Sequence, residues 1–197
     1  MSSNSLDTRT KILRSALDLL EGGRGSAVRM ADIAKQAGVS RQALYLHFST
    51  RADLLIEVTH FLDKKLGIDS RLAASRAAKT GMERLDAFVE TWANYIPEIY
   101  SVARALMVMG DTDKEAAVAW RHRMQDMREG CAAAIEALDR DAVLAPDHTV
   151  AQATDLLWSL LSVRNWEHLT IDRRWSQSQY VSKVKQLARH NFVAACK

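Results

Sequence analysis

The stretch AGVSRQALYLHF, residues 37–48, separates polar and apolar side chains onto opposite sides of a short helix. Gly38 suits a sharp turn because glycine adopts the left-handed backbone conformation without a Cβ clash. Ser40 is a residue type that caps helix N-termini. At about 100° per residue, Leu44 and Phe48 fall on one side of the next helix. An arc of roughly 140° on the other side holds the remaining long side chains: Arg41, Gln42, Tyr45 and Leu46.

Apolar and small residues before this stretch complete the pattern. We expect Leu44 and Phe48 to pack on two preceding helices. The first of these helices carries an apolar stripe at helical spacing: Ile12, Leu13, Ala16, Leu17 and Leu20. The small residues Ala34, Ala37 and Gly38 allow two helices to meet closely across the turn. These are the requirements of a helix-turn-helix.

The outward arc fits the major groove of DNA. Arginine and glutamine carry paired hydrogen-bonding groups that match guanine and adenine edges, and a recognition helix presents its N-terminal residues to the bases. Arg41 and Gln42 are therefore candidates for base reading. Tyr45, His47 and Arg51 lie at or beyond the far end of the helix, where side chains reach phosphates. For Arg41 and Gln42 taken alone, a solvated polar face on a small helical bundle is an equally good interpretation.

The longer string MADIAKQAGVSRQALYLHFSTRADLL, residues 30–55, resembles the N-terminal signature of the tetracycline-repressor (TetR) family of bacterial transcription regulators. The combination is specific, and it favours a DNA-binding helix over a solvated polar face. The matching positions occur at the family's spacing: Ile33-Ala34, Ala37-Gly38-Val39-Ser40, Leu44-Tyr45, His47-Phe48 and Asp53-Leu54-Leu55.

The resemblance implies an all-α fold with a three-helix DNA-binding head, residues 1–50, followed by a larger helical domain, residues 51–197. The larger domain is expected to bind a small-molecule effector and to form a homodimer. Arg29 departs from the family, which often has a capping serine or threonine there, because arginine cannot cap a helix in that way. The resemblance places the following residues at double-stranded DNA: Arg29, Met30, Arg41, Gln42, Ala43, Tyr45, His47 and Arg51.

The rest of the chain also indicates helices. Ala, Leu, Arg, Glu and Met are abundant and strand-like alternation is nearly absent, so we predict about nine α-helices. Thr50 and Asp53 have the spacing of a capping box. Pro97 is expected to start a new helix, because proline suits the first helical turn. The last two long helices are predicted over residues 150–171 and 179–195.

Tryptophan and methionine side chains recur in the larger domain, and such side chains line apolar ligand cavities. For any one of them, plain core packing at helical spacing is the simpler interpretation. By the resemblance, some of the set bounds the effector cavity. We therefore predict a mainly apolar or aromatic ligand among these residues: Trp92, Ile96, Met107, Trp120, Met124, Trp158 and Trp166.

The dimer is expected to form through the last two long helices. Residues 150–171 are apolar on more than one face, so a helix covered on one side by its own domain needs a partner for the other. The apolar positions are Val150, Ala153, Leu156, Leu157, Leu160, Leu161 and Val163. The last helix carries a narrow stripe suited to close approach in a four-helix arrangement: Val181, Val184, Ala188 and Ala195. We expect an isologous interface.

Charge and cysteine content narrow the function classes. The net charge of +3 arises in residues 1–67, with ten Lys+Arg against seven Asp+Glu, while the remainder carries seventeen of each. This excess is weak support for an anionic partner at that end. Cys131 and Cys196 stand alone, which favours a cytoplasmic compartment. Neither a secretory signal nor an apolar run of about 20 residues that could span a membrane is visible.

Motifs for catalysis are not recognisable in the sequence. No glycine-rich phosphate loop, nucleophile–base pair or metal-ligand spacing occurs, so we predict no enzyme activity, no catalytic residue, no cofactor and no metal site. A second hypothesis is a helix-turn-helix protein whose larger domain binds only a protein partner, and a third is an enzyme that uses the helical domain. We favour the first hypothesis, a repressor released from a palindromic operator by a mainly apolar small molecule.

Overall fold

The computed structural model describes residues 3–22 and 28–194, and this part of the chain is all-α as predicted. About nine helices were expected; the higher count arises because three of the helices have four residues each. The α-helices follow in chain order: α1 (Ser3–Glu21), α2 (Met30–Ala37), α3 (Arg41–His47), α4 (Arg51–Leu66), α5 (Ile68–Arg71), α6 (Ala73–Arg76), α7 (Gly81–Gly110), α8 (Lys114–Arg140), α9 (Val150–Leu160), α10 (Val163–Trp166) and α11 (Gln177–Phe192).

The helices form two compact units. The first unit contains Met1–Leu66 and Ile99–Met124, and the second contains Gly67–Glu98 and Gln125–Lys197. The first unit thus holds α1 to α4 with the end of α7 and the start of α8, and the second holds the rest of α7 and α8 and the remaining helices. Among the described helices, none has both the length and the apolar character that crossing a bilayer requires.

The core of the first unit is built on the apolar stripe predicted for α1. Each member of that stripe is buried: Ile12, Leu13, Ala16, Leu17 and Leu20. This helix packs against α2 and α4. On α1, Arg9 pairs with Glu57 of α4 and lies over the ring of Phe48, 5.1 Å from its centroid. An ion pair and a cation–π contact therefore add to apolar burial in holding α1, α4 and the end of α3 together.

The turn between α2 and α3 has the geometry that the sequence predicted. Gly38 adopts the left-handed conformation with φ 67°. Ser40 caps α3, because its hydroxyl accepts a hydrogen bond from the backbone N–H of Ala43 at 3.0 Å. The predicted capping box is confirmed as well: Thr50 N–H donates to Asp53 Oδ2 at 3.1 Å, and Asp53 N–H donates to Thr50 Oγ1 at 3.0 Å. Two side-chain caps thus set where α3 and α4 begin.

Pro97 lies inside α7 and not at the start of a new helix, so that prediction was wrong. Proline lacks the N–H that would donate to the carbonyl oxygen four residues earlier, at Ala93. Gln177 Nε2 donates to that oxygen instead, at 2.9 Å, and Gln177 Oε1 accepts from Trp166 Nε1 at 2.9 Å. The side-chain amide from α11 therefore takes the place of the missing helical hydrogen bond.

The single helix predicted over residues 150–171 is interrupted. Ser162 caps a new helix, α10, by accepting a hydrogen bond from Asn165 N–H at 3.2 Å, and a π-helical turn, Glu167–Asp172, follows it. Because Asn165 N–H is used in this way, it does not donate to the carbonyl oxygen of Leu161 four residues earlier. Trp92 Nε1 donates to that oxygen at 3.2 Å. The sequence prediction failed because a serine cap competes with helix continuation.

Replacing Gln177 by alanine should lower the free energy of unfolding by about 1–3 kcal/mol. The substitution removes two hydrogen bonds of the side-chain amide, one to the carbonyl oxygen of Ala93 and one from the indole N–H of Trp166. Urea unfolding followed by circular dichroism measures the change. Gln179→Ala, an exposed position on the same helix, is the matched control and should shift the free energy by less than about 0.5 kcal/mol. Equal losses in the two variants would contradict the role given to Gln177.

Candidate nucleic-acid interface

α3 presents the predicted polar arc to solvent. Its seven residues are too few for stable helix formation in isolation, so packing and capping must hold it. Leu44 is fully buried and Phe48 nearly so, while Ala43 and His47 are half-buried. Burial of one face together with the Ser40 cap fixes the rotation of the helix. The opposite face is exposed: Arg41, Gln42, Tyr45 and Leu46.

The two residues that the resemblance assigned to the start of α2 differ in their exposure to solvent. Arg29 occupies the N-cap position with no side-chain capping bond, as expected for arginine. Its exposed guanidinium pairs with Asp32, Nε to Oδ2 at 2.9 Å. The hydrogen bond between them raises the pKa of Arg29 and lowers the pKa of Asp32. Met30 is only 7% exposed, so its side chain belongs to the core and its backbone alone is available to DNA.

A surface cleft of about 720 Å³ joins the starts of α2, α3 and α4. Basic and aromatic side chains predicted to contact DNA line it together with two acidic residues from the α8 start, Asp113 and Glu115. Neither acid was predicted to lie at this site. They lie more than sixty positions from Arg51 in the sequence, and no local pattern links them to the helix-turn-helix. The residues predicted at DNA that line the cleft are Arg29, Met30, Arg41, Tyr45 and Arg51.

Arg51 is the predicted DNA-contacting residue whose surroundings differ most from the expectation. Its side chain is 11% exposed and its Nη1 pairs with Asp113. Arg51 Nε donates to the carbonyl oxygen of Val28 at 2.6 Å, and its backbone N–H donates to Glu115 Oε1 at 3.2 Å. The guanidinium is thus held by the protein and does not project into solvent as a phosphate anchor would.

Asp113 has two roles in the first unit. Its Oδ1 caps α8 by accepting hydrogen bonds from the backbone N–H groups of Glu115 and Ala116, at 3.0 and 3.1 Å. Its other oxygen pairs with Arg51. Burial alone would raise the pKa of Asp113, but the hydrogen bonds from Ala116 and Arg51 outweigh burial and lower it. The carboxylate is therefore charged at neutral pH and supports both contacts.

Two histidines come together in the first unit although their sequence spacing gave no sign of it. The rings of His60 on α4 and His122 on α8 meet edge to face, with centroids 5.6 Å apart. His60 Nδ1 also lies 3.7 Å from Glu57 Oε1. The two histidines are 62 positions apart in the sequence and lie on different helices, so helical spacing does not link them.

The seven residues predicted to bound the effector cavity divide between the units. The first unit contains Met107, Trp120 and Met124, and the second contains Trp92, Ile96, Trp158 and Trp166. Two of these indoles donate hydrogen bonds within the second unit. Trp92 Nε1 donates to the carbonyl oxygen of Leu161, and Trp166 Nε1 donates to Gln177 Oε1. The assignment of all seven to a ligand cavity stays a prediction.

A second cleft, of about 890 Å³, runs along α7 and α11 in the second unit. Its lining contains both polar and apolar residues and includes Lys185 and Glu90, which form an ion pair. The seven predicted effector residues are not among the residues that line this cleft.

The faces of α9 and α11 differ from those predicted for the dimer. Val184 and Ala188 are each 1% exposed and are therefore used by the core of the second unit, and residue 195 lies outside the described residues. On α9 and beyond it, the predicted apolar set is also largely buried, including Ala153, Leu157, Leu161 and Val163. The large apolar side chains left exposed on these two helices are Leu156, 47% exposed, and Leu187, 53% exposed. The pattern was ambiguous because several faces of each helix carry apolar residues.

Comparisons with known proteins agree with this arrangement. Residues 12–58 match the family model described as bacterial regulatory proteins, tetR family. The HTH-type transcriptional regulator EthR of Mycobacterium tuberculosis is 28% identical over 160 residues, which cover 77% of this chain and 72% of that protein. The nucleoid occlusion factor SlmA of Marinomonas sp. is 38% identical over 66 residues, and the match spans about a third of its length, 34%.

A solved structure shows the same fold over nearly the whole chain. The transcriptional regulator of Saccharomonospora viridis in complex with choline superposes with a TM-score of 0.70 at 21% identity, covering 95% of this chain and 98% of that one. A fixed, exposed helix after a glycine turn makes the chain a helix-turn-helix DNA-binding protein. Its helix-turn-helix region, residues 12–58, is of the kind found in the tetR family of bacterial regulatory proteins.

Proposed function

We propose that this regulator is a repressor that binds a palindromic operator as a homodimer and leaves it when a mainly apolar small molecule binds. The proposal that the protein binds DNA rests on the exposed position of Arg41 and Gln42, on a helix whose rotation is fixed by Ser40 and Leu44. We assign operator binding to residues 1–50, and effector binding with dimerisation to residues 51–197.

The proposed division of labour follows position along α3. Arg41 and Gln42 are its first two residues, the end of a recognition helix that meets bases, and their side chains can pair with guanine and adenine edges. Tyr45 and His47 lie in the last turn, from which side chains reach phosphates. Arg29 is exposed, and a surface ion pair such as its bond to Asp32 contributes little. Replacing Asp32 by a phosphate as the partner of Arg29 should therefore cost little free energy.

Replacing Arg41 or Gln42 by alanine should weaken operator binding by about 1–3 kcal/mol and relax the preference at one base pair per half-site. His47→Ala should weaken all sequences alike, because a phosphate contact carries no base information. Binding selection followed by fluorescence anisotropy on single-base variants measures both effects. Lys64→Ala, an exposed cation at the far end of α4, is the control and should bind like the wild type. An unchanged base preference in Arg41→Ala and Gln42→Ala would contradict the assignment.

The proposed dimer uses the side chains that the second unit leaves exposed. Leu156 on α9 and Leu187 on α11 are large and apolar, and each exposes about half of its surface. Covering them against a second copy removes apolar area from water. Two recognition helices held by one two-fold dimer meet half-sites one helical turn, about 34–36 Å, or a multiple apart. This geometry is why we propose a palindromic operator.

Leu156→Lys and Leu187→Lys should each shift the protein from dimer to monomer, because a buried, unpaired ammonium in the interface is strongly unfavourable. Analytical ultracentrifugation at micromolar concentration measures the shift. Val108→Lys replaces an equally exposed apolar residue on the other unit, and it should leave the dimer intact. Dimers that persist in both leucine variants, or a wild-type monomer, would place the interface elsewhere or remove it.

The proposed effector is uncharged or nearly so, because the predicted lining offers flat and adaptable apolar side chains. Trp158, Trp120 and Met124 are half-buried, so part of each surface is available to a ligand within its own unit. A highly charged compound would bring groups that this lining leaves unpaired. Release from DNA requires that the ligand prefer the dimer geometry that binds DNA poorly, since equal affinity for both geometries shifts nothing.

Tryptophan fluorescence should change on titration with apolar or aromatic compounds, and the same compounds should release operator DNA. Trp158→Phe should reduce the affinity for such a compound by about tenfold, the effect of losing roughly 1.4 kcal/mol of contact. Trp175→Phe, a half-buried tryptophan outside the predicted set, is the matched control and should bind normally. If polyanions alone changed the signal and released DNA, the apolar cavity would be wrong. A complete lack of response would favour a protein partner.

A further inference from the structure

Arg51 joins three separate segments of the first unit. Its Nε holds the carbonyl oxygen of Val28, immediately before α2. Its Nη1 pairs with Asp113, the cap of α8, and its backbone N–H donates to Glu115 in the first turn of that helix. Arg51 is itself the first residue of α4. One residue thus fixes the entry to α2 and the start of α4 against the start of α8.

We propose that Arg51 is a positioning residue that acts through Asp113 to hold the DNA-contacting helices in register, and that it does not itself neutralise a phosphate. The proposal rests on the proposed operator binding and replaces the phosphate contact that the resemblance assigned to this residue. The Arg51–Asp113 ion pair and the Arg51–Val28 hydrogen bond together form a latch between these segments.

Burial and charge both argue against a direct phosphate contact. Only 11% of the Arg51 side chain is exposed, so reaching a phosphate would break the ion pair and the bond to Val28. Breaking them would leave Asp113 without the cation that balances it. Asp113 and Glu115 line the same cleft, and their negative charge would repel a phosphate placed beside Arg51. The guanidinium of Arg51 already has an ion-pair partner inside the protein, the carboxylate of Asp113.

The latch acts where small displacements matter to DNA. Val28 directly precedes Arg29, the exposed N-cap residue of α2, so the bond from Arg51 sets where α2 begins. The C-terminal end of α3 lies only a short connection before the start of α4, so the placement of Arg51 also limits where α3 can lie. Loss of the latch should therefore weaken DNA binding without removing a single charge–phosphate contact.

The side-chain fork of arginine is essential to this role. The planar guanidinium donates at Nε to a carbonyl oxygen and at Nη1 to a carboxylate at the same time. A lysine has one ammonium at the end of a flexible chain and cannot reproduce both contacts in that geometry. Arg51→Lys keeps the charge that a phosphate would need and removes the fork that the latch needs. This substitution separates the two roles.

The test measures operator affinity at several salt concentrations for the full-length dimer and four variants: Arg51→Lys, Arg51→Gln, Asp113→Asn and the double variant Arg51→Gln/Asp113→Asn. Asparagine is as good an N-cap as aspartate, so Asp113→Asn keeps the start of α8 and removes only the charge. The control is Asp111→Asn, which removes the same charge from an exposed residue two positions away. Circular dichroism establishes that each variant is folded.

We expect each single latch variant to bind the operator about tenfold more weakly, the usual effect of losing one charge-assisted hydrogen bond. The double variant should be no weaker than the single variants, because both substitutions break one interaction. The slope of log affinity against log salt should stay the same in all of them, and Asp111→Asn should match the wild type. If Asp113→Asn bound more tightly, or if Arg51→Lys bound normally while Arg51→Gln flattened the slope by about 0.9, Arg51 would be a phosphate anchor.

Hydrogen exchange without DNA separates failure of the latch from failure of the operator function. Backbone amides at residues 29–33 and 51–56 should exchange about tenfold faster in Asp113→Asn and in Arg51→Lys, since the latch no longer opposes local opening. Wild-type exchange in both variants would overturn the latch. If no DNA sequence were selected by the wild type, the proposed operator binding would fail, while faster exchange would still support the latch. If Asp113→Asn did not fold, Arg51→Lys alone would decide.

Discussion

The exposed face of α3 depends on the burial of Leu44 on its opposite face, because a helix of this length is not stable by itself. A seven-residue helix gains little from its own hydrogen bonds, so α3 forms because one face is covered and because Ser40 satisfies a free N–H at its start. Covering that face leaves the opposite face in water. The exposure of Arg41 and Gln42 is therefore a consequence of core packing.

The arginines of the first unit differ in their burial and in the acidic partners that they pair with. Its cations include an exposed one, Arg29, and a largely buried one, Arg51. The exposed arginine has a surface partner, and such an ion pair contributes little to stability. The buried arginine is tied to Asp113, whose carboxylate also caps α8, so removing the pair disturbs two helices. Two arginines of the same unit thus differ in burial: Arg29 is exposed to solvent, and Arg51 holds the starts of α4 and α8 together.

The second unit shows that helix interruptions need side-chain partners. Pro97 removes one helical hydrogen bond and Ser162 diverts another, and each change leaves a carbonyl oxygen that water does not satisfy in a packed core. Gln177 bonds the first oxygen and Trp92 bonds the second. The helix through Pro97 therefore stays continuous, and the helix predicted over residues 150–171 is segmented, while both carbonyl oxygens keep a hydrogen-bond donor. The amide of Gln177 and the indole N–H of Trp92 meet this requirement.

Features that depend on neighbours along the chain could be predicted from the sequence. The α1 stripe, the Gly38 turn, the Ser40 cap and the capping box of Thr50 arise from residues within a few helical turns, so their physics is local. The outward face of α3 followed from the same local geometry. The family resemblance then supplied the class of protein, which local physics alone left open between a DNA-binding face and a solvated one.

Contacts between residues far apart in sequence were set by the folded structure. The pairing of Arg51 with Asp113 joins positions that no spacing rule connects, and it turned an expected surface cation into a buried one. The continuity of α7 through Pro97 depends on Gln177, eighty positions further along the chain. On α11, packing chose which of several apolar faces to bury, and it buried Val184 while leaving Leu187 exposed. Each outcome is set by which partner the fold brings within hydrogen-bonding or packing distance, and that information is absent from any short window of sequence.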